Sequence, residues 1–317
     1  MSFQILGTGA YVPEKILTNE ELSQMVDTSD EWITQRVGVK TRHISVNESA
    51  AEMGAKAAQR ALEAAGISAA QLGLIVGATV SADQCCPSTA AKVQQAIGAS
   101  CPAFDVNSAC SGFLFALDTA AAFIVRGGIE YALVFGAERL SRILDWTDRS
   151  TCVIFGDGAG AFVIAKGENY LGSHLFTQGG ESVLAIPLGK GNSPFYEKEV
   201  APLAVHMSGQ ETFKFAVKQI VGGIRLIAEQ AGITTDQINW IVPHQANIRI
   251  IDLAARRLGI PMEKFVVNIE RYGNTSSASV PISFDELARS GKLKKGDLIA
   301  MCAFGGGLSS AACLIKW

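Results

Sequence analysis

The chain has 317 residues, enough for one large domain or two ordinary ones, and a net charge of −3 that tells against a nucleic-acid partner. It is 48% hydrophobic and only 18% charged, with a mean hydropathy of +0.24, which calls for a core with buried layers. Apolar stretches break at Gly, charged or polar residues before the roughly 18 needed to span a bilayer, and the start Met1-Ser2-Phe3-Gln4 has no basic, apolar leader. The seven cysteines are an odd number with no CxxC pair, so they are expected to be reduced thiols of a cytoplasmic protein without a zinc site.

Along the chain, Gly7-Thr8-Gly9-Ala10-Tyr11-Val12 lacks the third glycine of a dinucleotide fingerprint. Ser29-Asp30-Glu31 opens a predicted helix that places Trp32 and Arg36 four residues apart on one face. An aromatic plane beside a guanidinium suits an adenine with phosphates, although Trp32 by itself reads as a partly buried packing residue. Ala103-Phe104-Asp105-Val106 predicts a strand edge, and Gly112 to Val125 is apolar on nearly all sides, which predicts a buried helix. Cys110 falls between them, at the N-terminus of that helix. Unpaired N–H groups there stabilise negative charge and lower a thiol pKa. Such a thiolate is a nucleophile with oxyanion donors beside it. On this segment alone, a buried structural cysteine is an equal reading.

Gly156-Asp157-Gly158-Ala159-Gly160 runs into a predicted strand, so tight packing is expected there and not phosphate binding. Composition turns polar and irregular between Gly167 and Gly180, which sets an expected boundary between halves at 1–170 and 171–317. Gly189-Lys190-Gly191-Asn192-Ser193-Pro194 reads as a loop. The halves look like one architecture written twice. Ala65-Gly66-Ile67-Ser68 through Val76 matches Ala231-Gly232-Ile233-Thr234 through Val242 without gaps. Phe104-Asp105-Val106-Asn107 resembles Phe265-Val266-Val267-Asn268, and Tyr131–Gly136 parallels Asp297–Cys302. Strands alternating with helices in two copies predict packed α/β layers.

The second half holds the remaining polar candidates. Lys214, Lys218 and Arg225 share one face of a predicted helix, and Arg249, Arg256 and Arg257 cluster on another, which ordinarily means a solvated face. His244 follows the strand Trp240-Ile241-Val242-Pro243, beyond whose carboxyl end ligands gather in an α/β sheet; alone it reads as a satisfied structural histidine. Asn274 takes the place in the second half that Cys110 takes in the first, and by itself it reads as a helix cap. Phe304-Gly305-Gly306-Gly307-Leu308 joins two apolar strands, with three glycines that allow close backbone approach and free N–H groups.

The motifs Gly7-Thr8-Gly9-Ala10-Tyr11-Val12-Pro13, Thr28-Ser29-Asp30-Glu31-Trp32-Ile33, Ala109-Cys110-Ser111-Gly112, Phe155-Gly156-Asp157-Gly158-Ala159-Gly160-Ala161, Val242-Pro243-His244-Gln245-Ala246-Asn247, Gly273-Asn274-Thr275-Ser276 and Phe304-Gly305-Gly306-Gly307 together resemble the β-ketoacyl-acyl-carrier-protein synthase III family over essentially the whole chain. The resemblance implies a thiolase-like, five-layered αβαβα fold, a homodimer and a Cys110-His244-Asn274 site, with the N–H groups of Cys110 and Gly306 as oxyanion hole. It implies condensation of a short acyl-CoA with malonyl-acyl-carrier-protein, using no metal and no redox cofactor. It also implies that Trp32 and Arg149 sandwich the CoA adenine, and that Gly209 and Asn247 line the pantetheine tunnel. For the acidic carrier protein it points to Lys214, Gln245, Ala246, Asn247, Ile248, Arg249, Arg256 and Arg257. Phe304 and Cys86 are its primer-pocket residues, Cys86 reaching across the dimer. A small side chain at Cys86 predicts room for primers longer than acetyl. Relatives on the same fold that make other ketide or hydroxymethylglutaryl products, and non-catalytic acyl-binding subunits, are the competing readings.

Overall fold

Two sheets carry the architecture. In the computed structural model, residues 2–188, 194, 195 and 199–317 are described. The expected 189–194 loop therefore lies largely outside the described residues. The first sheet orders its strands Phe3–Tyr11, Gly158–Lys166, Tyr131–Glu138, Leu72–Ala78 and Ala103–Val106. Leu72–Ala78 runs parallel to both its neighbours, and the other pairings are antiparallel. The second sheet orders Trp240–Pro243, Leu298–Gly305, Gly307–Lys316 and Tyr170–Gly180, with only the first pair parallel. Val, Ile, Leu and Ala fill both faces of the central strands, the pattern of sheets covered on both sides.

Helices complete five layers. Ala50–Ala65 and Thr89–Ile97 cover the outer face of the first sheet, and Gly209–Gln230 and Ile248–Leu258 that of the second. Gly112–Arg126 and Ser279–Arg289 lie between the sheets and touch both. The central core joins Leu74, Val76 and Phe162 of the first sheet to Met301, Ala311 and Cys313 of the second through Phe113, Leu117 and Phe284 of these helices.

Two expectations are corrected here. Tyr170–Gly180 is a strand of the second sheet, not an irregular connection, because its residues from Gly172 to Thr177 pair antiparallel with Ser309 to Leu314. One helical window, Ala109–Arg126, is long and apolar enough by composition to cross a membrane; half of it is buried between the sheets, so its apolar surface meets protein. The strand 7–12 glycines are packing positions: a Cβ on Gly7 or Gly9 would lie 2.4 Å from Ala61 O or Ala57 O of the Ala50–Ala65 helix. Gly160 meets Ile282 N and Pro281 in the same way, as tight packing predicts for its motif.

Candidate active site

Cys110 is held at a strained corner. Ala103–Val106 ends the edge of the first sheet, Ala109–Ser111 forms one 3₁₀ turn, and the Gly112–Arg126 helix follows at once. Ala109 sits at φ 46°, a left-handed conformation costly for a residue with a Cβ. Behind it the Ser111 and Ser309 hydroxyls lie 2.8 Å apart and tie the turn to the last strand. Gly305 approaches so closely that a Cβ there would stand 2.6 Å from Cys110 N. Cys110 N and Gly306 N are therefore near neighbours, and among the described residues neither is committed to a turn or loop hydrogen bond.

Cys110 is enclosed by protein, yet part of its surface opens onto a cavity of about 910 Å³. His244, Asn274, Ser276, Phe304, Gly305 and Gly306 line the same cavity, so the two halves meet there. One expectation fails. Burial pushes the Cys110 thiol up to about 12, overriding the helix terminus, and the negative charge of Glu138 adds to the rise. The Ser276 hydroxyl beside it pulls the thiol back, although it is buried with no hydrogen-bond partner. The resting group is a thiol.

His244 is 1% exposed, its backbone N–H bonds Cys302 O at 2.8 Å, and its ring meets Phe304 edge-on at 5.2 Å. Burial drives its pKa down to about 3, so the imidazole is neutral at pH 7. Its Nδ1 is buried without a partner among the described residues. Asn274 Oδ1 accepts the Ser276 N–H at 2.8 Å, which fixes the carboxamide and leaves its NH₂ free to donate. A neutral imidazole and an oriented amide, both facing a thiol across an apolar-walled cavity, suit the stabilisation of a developing enolate oxygen.

The His244 burial has a consequence for stability. Unfolded, the imidazole takes up a proton near 6.5; folded, it stays neutral down to about 3. Between these values the unfolded chain binds more protons, so stability falls as pH is lowered. The slope is at most about 1.4 kcal/mol per pH unit. His244→Asn should therefore show a shallower fall in Tm below pH 6.5 than the unmodified chain. An equal slope would show that His244 contributes nothing to the acid limb.

The remaining candidates divide. Ser29 caps the helix Asp30–Arg36, as expected, by accepting the Trp32 N–H. The Arg149 guanidinium stands 5.3 Å from the Trp32 ring and is also held by Asp27 O at 2.8 Å. Trp32, Arg36 and Arg149 stand outside the cavity lining, whereas Gly209, Ala246 and Asn247 belong to it. Asn247 caps the Ile248–Leu258 helix and donates to Arg36 O at 3.0 Å. That bond links the Trp32 helix to the cavity mouth.

Gln245 is corrected as a docking residue: it is 1% exposed, and its amide serves Pro243 O, Val266 O, Asn268 N and Ile269 N. It braces the loops around His244 and is closed to a partner. Ile248 is likewise half-buried, against Gly38 and the core beneath Trp32. Lys214 pairs with Glu211 and Arg256 with Asp252, while Arg249 is exposed with no ion pair among the described residues. Cys86 is exposed and Cys85, not Cys86, lines the cavity of its own chain. Val80, Leu140, Ile143, Phe155, Ile186 and Val205 also line the cavity; Phe155 opens the Phe155–Ala161 motif, and the others come from segments distant in sequence that carry no motif. Glu138, beside the site, was missed for the same reason.

Comparison with known proteins agrees with this geometry. The family model described as 3-oxoacyl-[acyl-carrier-protein] synthase III matches residues 104–179, and its C-terminal counterpart matches residues 228–317. A β-ketoacyl-[acyl-carrier-protein] synthase III of Clostridium acetobutylicum is 49% identical over 100% of this chain and 99% of its own length. The crystal structure of 3-oxoacyl-[acyl-carrier-protein] synthase III from Aquifex aeolicus superposes with TM-score 0.93 at 44% identity, covering 99% of this chain and 100% of that one. A priming β-ketosynthase of the R1128 polyketide pathway gives TM-score 0.93 at 35% identity, over 99% of this chain and 96% of that one. The five layers are thus the thiolase fold, and the chain is a condensing enzyme of the acyltransferase type. Within that class it belongs to the β-ketoacyl-acyl-carrier-protein synthase III family.

Proposed function

We propose that this chain starts fatty-acid synthesis by joining a short acyl-CoA to malonyl-acyl-carrier-protein. The observation that carries the reading is the meeting of Cys110, His244 and Asn274 on one cavity with the Gly305–Gly306 backbone against Cys110. The Cys110 sulfur attacks the acyl-CoA thioester. Its proton leaves with the CoA sulfur, giving acyl-Cys110 and free CoA. The Cys110 and Gly306 N–H groups hold the oxygen of the tetrahedral intermediate. Malonyl-acyl-carrier-protein then enters, and His244 and Asn274 donate to its thioester carbonyl as carbon dioxide departs. The resulting carbanion attacks acyl-Cys110, releasing 3-oxoacyl-acyl-carrier-protein and the Cys110 thiolate, which takes up a proton from solvent to restore the thiol. Loss of carbon dioxide drives the step, so the chemistry calls for no metal or redox cofactor. Trp32, Arg36 and Arg149 hold the CoA adenine and phosphates at the mouth, and the working form is a cytoplasmic homodimer.

The test is acylation followed by release. Incubation with labelled acyl-CoA should place one acyl group on Cys110, and adding malonyl-acyl-carrier-protein should liberate carbon dioxide. Label on Cys85 or Cys86, or binding without turnover, would defeat the reading.

Two expectations belong to this reading. Charge reversal of Arg249, an exposed cation with no ion pair among the described residues and two positions from the cavity-lining Asn247, should raise the KM for malonyl-acyl-carrier-protein and spare acyl-CoA priming. The effect should shrink as salt rises, since exposed charges are screened over roughly 8–10 Å. An unchanged KM would return Arg249 to a solvated face. The apolar wall of Val80, Leu140, Ile143 and Phe155 should also admit primers longer than acetyl, each buried CH₂ adding about 0.8 kcal/mol of binding. Comparing kcat/KM for acetyl-, butyryl- and isobutyryl-CoA measures this, and Cys86→Phe should narrow the range towards acetyl. Strict acetyl preference unaltered by that substitution would remove Cys86 from the pocket.

A further inference from the structure

Glu138 is a buried carboxylate that the proposed chemistry does not use. It ends the Tyr131–Glu138 strand and is 0% exposed, with no cation paired to it among the described residues. What surrounds it is a cage of donors. Val80 N lies 3.1 Å and Ser81 N 3.2 Å from Oε2, and Ser277 N lies 3.3 Å from Oε1. Three hydroxyls join them: Thr79 at 3.1 Å, Ser277 at 2.7 Å and Ser81. Backbone N–H groups can only donate. The Ser81 hydroxyl already accepts the Arg139 N–H and that of Thr79 accepts the Ser81 N–H, so both point their protons at Glu138. The cage suits an acceptor, although the Ser277 hydroxyl also stands 2.9 Å from Ala78 O, and burial raises the Glu138 carboxyl above its ordinary range in spite of these donors.

The donors come from two separate parts of the chain. Thr79, Val80 and Ser81 belong to the loop after the Leu72–Ala78 strand, whose Thr79, Val80, Ala82 and Asp83 form cavity wall. Ser277 belongs to the turn Ser276–Ala278, directly after Asn274. That turn is pressed onto the Glu138 strand: a Cβ on Gly136 would lie 2.4 Å from Ser277 O. From Glu138 the path is short. It holds Ser277, and the adjacent Ser276 N–H holds Asn274 Oδ1, which fixes the carboxamide of this cavity-lining residue.

We propose that Glu138 is a positioning residue, which locks the Asn274 turn of the second half onto the strand ends that carry the Cys110 half. The charge of Glu138 also reaches Cys110, where it opposes the thiolate. This inference rests on the condensing activity proposed above and concerns only how one donor is aimed.

The experiment separates the two half-reactions in Ser277→Ala and Glu138→Gln. Ser277→Ala removes one link and leaves the rest of the cage, so it spares the fold if Glu138→Gln does not. In each variant, single-turnover formation of acyl-Cys110 should stay near that of the unmodified chain. The kcat for carbon dioxide release should fall by up to about 10²-fold, as for a displaced catalytic group, with KM for malonyl-acyl-carrier-protein little changed. Glu138→Gln should also move the alkylation of Cys110 by iodoacetamide to lower pH, whereas Ser277→Ala should not. Equal loss in both half-reactions of Ser277→Ala, or no loss in either, would overturn the assignment. Failure of the unmodified chain to acylate Cys110 would instead sink the functional reading, so the two failures are distinct.

Discussion

Replacing His244 or Asn274 with Ala is expected to lower condensation by about 10²–10³-fold while Cys110 still takes up its acyl group. The two residues stand on the second half, after Trp240–Pro243 and before the Ser276–Ala278 turn, and neither belongs to the turn that holds the nucleophile. Both are prepared as neutral donors. Burial keeps the imidazole uncharged, and the Ser276 N–H on Oδ1 fixes the amide and leaves its NH₂ free to donate. A neutral donor favours the enolate over the ground-state thioester without drawing the carboxylate of the malonyl group to itself. Acyl transfer to Cys110 needs other parts, the Cys110 and Gly306 N–H groups, and these remain. Rapid-quench measurement of acyl-Cys110 beside carbon dioxide release from malonyl-acyl-carrier-protein checks the division. Parallel loss of both steps would merge the two sites into one catalytic unit.

Gly305→Ala should be nearly as damaging, through geometry alone. The new Cβ would meet Cys110 N at 2.6 Å and the Cβ atoms of Ala109 and Cys110 at 3.1 Å. The nearest of these is backbone, so no rotamer change relieves the clash. Gly305 cannot retreat, because its strand is laddered to Gly307–Lys316 with Gly305 opposite Ser309. The turn that must yield already holds Ala109 at φ 46° and leads straight into a packed helix. Overpacking of this kind costs about 1–3 kcal/mol, and a nucleophile displaced by an ångström costs about 10²-fold in rate. Gly222→Ala is the control: it is an exposed helical glycine whose added Cβ meets nothing within 4 Å. It should leave acylation unchanged and raise stability by up to about 1 kcal/mol. Near-normal acylation by Gly305→Ala would show that the glycine hairpin does not fix the nucleophile.

Much of this site was legible in the residues themselves. The apolar run from Gly112 onward could only be a buried helix, which put Cys110 at its start, and the helix does begin at Gly112. The predicted helix that carries Arg249, Arg256 and Arg257 is also present, as Ile248–Leu258. Three consecutive glycines between apolar strands marked a close backbone approach, and Gly305 makes one. Local periodicity and backbone chemistry decide such features, so sequence alone determines them. Titration and exposure were not of that kind. The thiol of Cys110 rises because protein encloses it from both halves, which outweighs the helix terminus that sequence shows. The family resemblance gave Gln245 a docking role, yet three of its four amide bonds reach a segment 21 to 24 residues away and it is buried. Glu138 looked like the polar end of an ordinary strand. Its role needs Ser277, which stands 139 residues further along the chain. Desolvation and long-range hydrogen bonds depend on which segments meet, and only the packing of the two halves fixes that.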